Sequence, residues 1–139
     1  MTIETINRAI GNIDIYLLDQ LLKGHFNKEM KILDAGCGEG RNLHYFIQNG
    51  YDVYGVDANP TAIQMLRMSA KNYEPERFVL SSIEDMIFPP DVFDFIICSA
   101  VLHFANSHDH FEAMMQAMLK VLKPGGKLFI RMTTDLGIE

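Results

Sequence analysis

The sequence predicts an α/β sandwich of three layers: a mostly parallel sheet of about five strands, covered by helices on both faces. Three observations predict it. Short apolar runs alternate with segments of helical apolar spacing along the 139 residues. Gly, Pro, Asn and Asp mark the changes between them. The run Val92–Ser99 (VFDFIICS) is apolar almost throughout, which suits a strand buried on both sides. Such alternation implies right-handed crossovers between parallel strands.

The elements follow in order. Residues 1–11 leave room for a short helix. Asn12 can cap a helix to Lys23, with Ile13, Leu17, Leu18, Leu21 and Leu22 inward and Gly24 at its C-terminal cap. Lys31–Ala35 (KILDA) is the first strand and runs into a glycine loop. Arg41–Gln48 is a helix stopped by Asn49 and Gly50, and Asp52–Asp57 (DVYGVD) is the second strand. Asn59-Pro60 opens a helix with Ile63, Leu66 and Ala70 on one face. Arg77–Ser82 and Val92–Ser99 are the third and fourth strands. Ser107 or Asn106 caps a helix to about Leu122, with Phe111, Met114, Met115, Met118, Leu119 and Leu122 inward. Lys123-Pro124-Gly125-Gly126 then turns the chain into a fifth strand, Lys127–Thr133. The whole of 1–139 reads as one domain, with 1–29 a helical cap and 30–139 the core. An uncovered fifth-strand edge favours either a piece of a longer protein or a homodimer paired along that edge.

Composition excludes several classes. The net charge of −6, with no run of Lys or Arg, argues against a nucleic-acid or anionic-membrane surface. No apolar stretch approaches the ~20 residues of a membrane span, and the N-terminus has no signal-peptide pattern. Cys37 and Cys98 are too few for a disulfide scaffold and lack metal spacing, so a reduced, cytoplasmic protein is expected.

The glycine loop Gly36-Cys37-Gly38-Glu39-Gly40 follows the first strand, where α/β sheets bind ligands. A dinucleotide fingerprint would need its third glycine at position 41, which is Arg41, and no Gly-Lys-Ser/Thr phosphate loop exists. Asp34 and Glu39 would repel a pyrophosphate but suit a positive charge. Asp57, at the tip of the second strand, can accept hydrogen bonds from both hydroxyls of a ribose. The expected ligand is therefore a nucleoside with a cationic, phosphate-free tail. A nicotinamide-dependent oxidoreductase is the weaker reading, because of Arg41.

Over residues 30–133 the chain resembles the class I S-adenosylmethionine-dependent methyltransferases, which share a Rossmann-like fold. Asp34-Ala35-Gly36-Cys37-Gly38-Glu39-Gly40 fits the family's acidic-x-G-x-G-x-G motif and Asp57 its ribose-binding acid. Phe93-Asp94 with Ile96 and Ile97, and Leu122-Lys123-Pro124-Gly125-Gly126, fit its approaches to the fourth and fifth strands. Gly38–Asn42 is also similar to tellurite-resistance and thiopurine-type enzymes, which hints at a small-molecule substrate. The resemblance implies a cofactor site of Asp34, Gly36, Cys37, Gly38, Gly40, Asn42, Asp57, Ala58, Ser82, Ile83, Cys98 and Ser99, with S-adenosylmethionine as cofactor. There are two departures. Ser82 stands where the family often has an acid for the adenine amino group, so that either Ser82 itself hydrogen-bonds there with looser selectivity or Glu84 or Asp85 substitutes, and the family's last two strands are missing.

For chemistry, His103 follows the fourth strand and is the candidate general base, against a packing role. His108 and His110 lie two apart in a first helical turn, so they do not share a face, and no metal site is expected. Cys37 reads as a small residue that fits between glycines rather than a reactive thiol. Tyr16 is a candidate to close over the cofactor, and Arg41 to pair with a ligand carboxylate or with Glu39. The competing function is a non-catalytic module that binds the cofactor or dimerises.

Overall fold

The computed structural model describes Thr5, residues 13–99 and residues 105–131. The elements are α1 (Ile15–Leu22), β1 (Lys31–Ala35), α2 (His44–Gln48), β2 (Asp52–Asp57), α3 (Pro60–Ser69), a 3-10 turn (Pro75–Arg77), β3 (Phe78–Leu80), β4 (Phe93–Ser99), α4 (His108–Val121) and β5 (Leu122–Arg131). The sheet among the described residues has five strands, in the order β3-β2-β1-β4-β5, and every pairing is parallel. Strand order reverses between β1 and β4, so a crevice opens there at the carboxyl ends of the strands.

The alternation of side chains along the strands builds two core layers. Ile32, Val53, Phe95 and Ile97 pack on Leu17 of α1, Phe46 of α2 and Leu66 of α3. Leu33, Ala35, Val56, Ile96 and Cys98 pack on Met114, Met118 and Val121 of α4, with Ile83. β4 is buried along nearly its whole length, as its unbroken apolar run requires. Phe46 anchors its layer through edge-on contacts with Phe26 and Tyr51, at 4.9 and 5.2 Å between ring centroids.

Several expected boundaries move. The cap of α1 is Asp14, whose side chain accepts hydrogen bonds from the Tyr16 and Leu17 N–H groups, rather than Asn12, which lies outside the described residues. Leu22 is 75% exposed and Leu119 is 49% exposed, so neither joins the core stripe expected of it. The helix after the glycine loop starts at His44 rather than Arg41, because Gly40–Leu43 form a turn in which the Gly40 carbonyl accepts from both Leu43 and His44. The third strand shortens to Phe78–Leu80, since Pro75–Arg77 are wound into the 3-10 turn. β5 begins at Leu122, and the Lys123–Gly126 segment bulges between the Phe93–Leu122 and Phe95–Lys127 pairs. Met132 and Thr133, at the expected end of the fifth strand, lie outside the described residues, as does the stretch 1–11 of the expected short helix apart from Thr5.

Candidate functional site

The glycine loop is folded back onto β2. The N–H groups of Gly36 and Cys37 both donate to the Val56 carbonyl (2.7 and 3.0 Å), and the Gly38 N–H donates to Asp57 Oδ2 (2.9 Å). Two positions require glycine. Gly40 has φ +95°, and a Cβ there would stand 2.6 Å from Leu66 Cδ1 on α3. Gly55 on β2 lets the Cys37 thiol in, since a Cβ would meet its Sγ at 2.8 Å. Three amides of the loop are thus committed to protein acceptors, which leaves them no role in cradling a phosphate.

Asp57 ends β2 and is tied on both oxygens, to Gly38 through Oδ2 and to the Asn59 N–H through Oδ1 (2.8 Å). Each carboxylate oxygen accepts more than one hydrogen bond, so the aligned group can still take ribose hydroxyls. Asp34, in β1, is 2% exposed. Burial pushes its carboxyl up to about 7; Arg41 acts against the shift and Asp57 adds to it. A carboxyl in this state is stabilised in its charged form by any cation brought beside it.

Between the loop, the end of β2 and α4 lies a hollow of about 240 Å³. Ala58, Ile83 and Met114 give it apolar walls, while Gly36, Asp57 and Ser82 give it polar edges. It has the character of a purine pocket beside a ribose acceptor. Glu84 and His110 also line it and are paired, with His110 Nε2 2.9 Å from Glu84 Oε2. In sequence His110 stands out only as a metal-ligand candidate; its 26-residue separation from Glu84 hides the pairing. Among the described residues no group of three or more His, Cys, Asp or Glu is placed to hold a metal ion.

Other expected residues have internal duties. Asn42 is 5% exposed, and its Oδ1 accepts the Asp14 N–H at 2.7 Å. Ser99 is 6% exposed and donates its hydroxyl to Asp14 Oδ2 at 2.8 Å. Arg131, at the end of β5, reaches the same carboxylate at 3.3 Å, and its guanidinium lies 4.2 Å from the centroid of the Tyr16 ring. Burial opposes the charge on Asp14, but the bonds from Ser99, Tyr16 and Leu17 and the charge of Arg131 outweigh it and hold the carboxyl below its ordinary value. This clasp fixes α1 beside the crevice, and Tyr16 faces Arg131. Cys98 is fully buried in the sheet. Burial, with Asp34 and Asp57 nearby, drives the Cys37 thiol far above its ordinary value, so no nucleophilic thiolate forms there. His103 lies outside the described residues.

A family model described as a methyltransferase domain matches residues 33–130. The chain is 35% identical over 112 residues to a thiol S-methyltransferase of Rattus norvegicus, covering 78% of this chain and 44% of that protein. It superposes with a TM-score of 0.69 and 28% identity on a TehB-like SAM-dependent methyltransferase of Corynebacterium glutamicum, covering 91% of this chain and 66% of that one. A 1,6-didemethyltoxoflavin-N1-methyltransferase of Burkholderia thailandensis, solved with S-adenosylhomocysteine, matches with a TM-score of 0.65 and 26% identity over 79% of this chain and 48% of that one. The chain spans less than half the length of the first curated relatives it matches, 43%, 44% and 36% of them. The sheet order, the loop folded onto β2 and the acid at the tip of that strand agree with these matches: the chain belongs to the methyltransferase-domain family, of the class I S-adenosylmethionine-dependent kind.

Proposed function

We propose that the protein binds S-adenosylmethionine and transfers its methyl group to a small molecule. The observation that carries this reading is the joint position of Asp34 and Asp57 around a glycine loop whose amides are already bonded to β2. The cofactor would supply an electrophilic methyl group on a sulfonium. Asp57 holds the ribose hydroxyls, Asp34 offsets the positive charge of the amino-acid tail, and Ala58, Ile83 and Met114 enclose the purine. Gly36, Cys37, Gly38 and Gly40 shape the loop, and Asn42, Ser82, Cys98 and Ser99 complete the proposed set of cofactor-side residues, with Asn42, Cys98 and Ser99 buried. What remains for the protein is to align an acceptor atom, exclude water and, where the acceptor carries a proton, remove it. His103 is the base proposed for that last task.

Residues 1–29 serve as a cap over a core of 30–139, and the cytoplasm is the proposed location. No described helix is long and apolar enough to cross a membrane. Relatives named for a thiol and for toxoflavin chemistry support a small acceptor. Isothermal titration with S-adenosylhomocysteine is the direct test; no binding at millimolar ligand sinks the reading.

One observation favours pairing of two copies as well. β5 is an outer strand of the described sheet, and Ile130 on it is 38% exposed. Light scattering on an eluting peak reads the mass directly, and a monomer removes the idea.

A further inference from the structure

We infer that Arg131 seats a carboxylate carried by the small molecule that receives the methyl group. The inference rests on the proposed cofactor reading and names the substrate class of that same site.

Sheet order sets where the methyl acceptor lies. The purine hollow sits at the ends of β2 and β3, with Asp57 and Ser82 on its wall. The cationic tail is placed at Asp34 on β1. In the order β3-β2-β1-β4-β5, a cofactor laid this way points on toward β4 and β5, whose ends are left for the acceptor. Ser99 ends β4 and pairs with Arg131, which ends β5. Two strand spacings, about 10 Å, separate β5 from β1, a span that a small molecule fills.

The Arg131 guanidinium is held in place there without being used up. Nη1 donates to the two oxygens of Asp14 at 3.4 and 3.3 Å, and the group lies over the Tyr16 ring. No described residue accepts a hydrogen bond from Nε or Nη2, and the side chain is 35% exposed. These two nitrogens form an edge that meets both oxygens of a carboxylate at once. Asp14 also accepts from the Tyr16 and Leu17 N–H groups and from the Ser99 hydroxyl, and its side chain is only 6% exposed. The outward pole of the pair is therefore the cation. Beside it opens a hollow of about 350 Å³ in which Tyr16 and Phe129 offer apolar surface. Asp19, the acid on its wall, is paired with Lys23 at 3.0 Å. Such a place suits a molecule with an apolar body and a carboxylate. Arg41 stands apart from it, acting on the charge of Asp34 at β1, where the cofactor's own carboxylate lies.

Benzoate and benzamide, alike in shape and different in charge, are the probes. Each is titrated into the full chain saturated with S-adenosylhomocysteine, and the Arg131 Nε–H resonance is followed by NMR. Benzoate should move that signal along a saturable curve, and benzamide should leave it in place. Arg131→Lys keeps a cation for Asp14 but lacks the fork, and should weaken benzoate by about tenfold, read on the Ser99 and Phe129 amides. It should bind S-adenosylhomocysteine as the wild type does. A wild-type signal that ignores benzoate, or answers benzamide equally, overturns the inference. So does an Arg131→Lys protein that binds benzoate as tightly as the wild type. A benzoate response that saturating S-adenosylhomocysteine abolishes also overturns it, by giving Arg131 to the cofactor's carboxylate. Failure of the wild type to bind S-adenosylhomocysteine overturns the cofactor reading itself, which separates the two claims.

Discussion

The two rims of the sheet differ in how completely their acids are paired, the Asp14–Arg131 clasp apart. Where the strands begin, acids and cations meet in pairs: Arg77 bridges Asp52 and Glu74, and Asp94 holds both Lys123 and the Lys31 N–H. Burial works against the charge on Arg77, but its bonds to Glu74 and Asp52 outweigh that and hold it firmly protonated. The Arg77 guanidinium also lies 4.7 Å from the centroid of the Tyr54 ring, so its planar face is used too. Where the strands end, Asp34 and Asp57 stand near each other, and Arg41 does not offset the burial of Asp34. The hollow beside Arg77 is the larger, at about 440 Å³ against about 240 Å³, yet Asp52, Glu74 and Arg77 on its wall are already paired with one another. The neighbouring acids Asp34 and Asp57, rather than volume, distinguish the rim proposed to take the cofactor.

That contrast can be broken by experiment. The largest effect is expected for Asp57→Ala, which removes the ribose acceptor and the ties to Gly38 and Asn59. Affinity for S-adenosylhomocysteine should fall by about 1–3 kcal/mol, read by calorimetry. A variant that binds as tightly as the wild type would show that the acid at this rim is not reserved for a ligand.

The next effect is in pH. The Asp34 carboxyl has an ordinary value of 3.8 and is raised to about 7 in the fold. Between those values the folded protein holds a proton that the unfolded chain has released. Stability should therefore fall as pH rises through that window and level off above it. Ligand binding runs the other way, because a cation favours the ionised form. Affinity for S-adenosylmethionine, whose sulfonium stays charged, should rise roughly tenfold from pH 6 to pH 8. Asp34→Asn should flatten both profiles, as urea unfolding and calorimetry would read.

At the other rim the effects should be smaller and confined to stability. Arg77→Met, with the native side chain 24% exposed, should cost about 1 kcal/mol and leave cofactor affinity unchanged. Asp94→Asn leaves Lys123, 42% exposed, without its partner, and should cost a few tenths of a kcal/mol. If either variant weakens binding, the division between the rims is wrong.

Much of this layout is legible in the sequence because it is local. The bounds of β1 and β2, the Asn59 cap of α3 and the Ser107 cap of α4 follow from runs, breakers and caps within a few residues. So do the glycine loop and Asp57. Leu22 and Leu119 miss the core because periodicity gives a stripe but not its width, and the sheet decides which edge it covers. The parts that escaped are long-range pairings. Nothing near Ser99 announces that its hydroxyl serves Asp14, 85 residues earlier. Nothing near His110 announces Glu84. Polar residues at strand ends look alike in sequence whether they meet a ligand or another segment.

The Asp14 clasp carries a consequence for the order of assembly. Its partners come from the turn after β1, the end of β4 and the end of β5. α1 precedes every strand of the described sheet, yet its anchor is complete only when the last described strand has paired. Closing contacts so far apart in sequence is slow relative to the neighbouring strand–helix units. α1 should therefore be among the last described elements to gain protection from amide exchange on refolding, and the first to lose it when β5 frays.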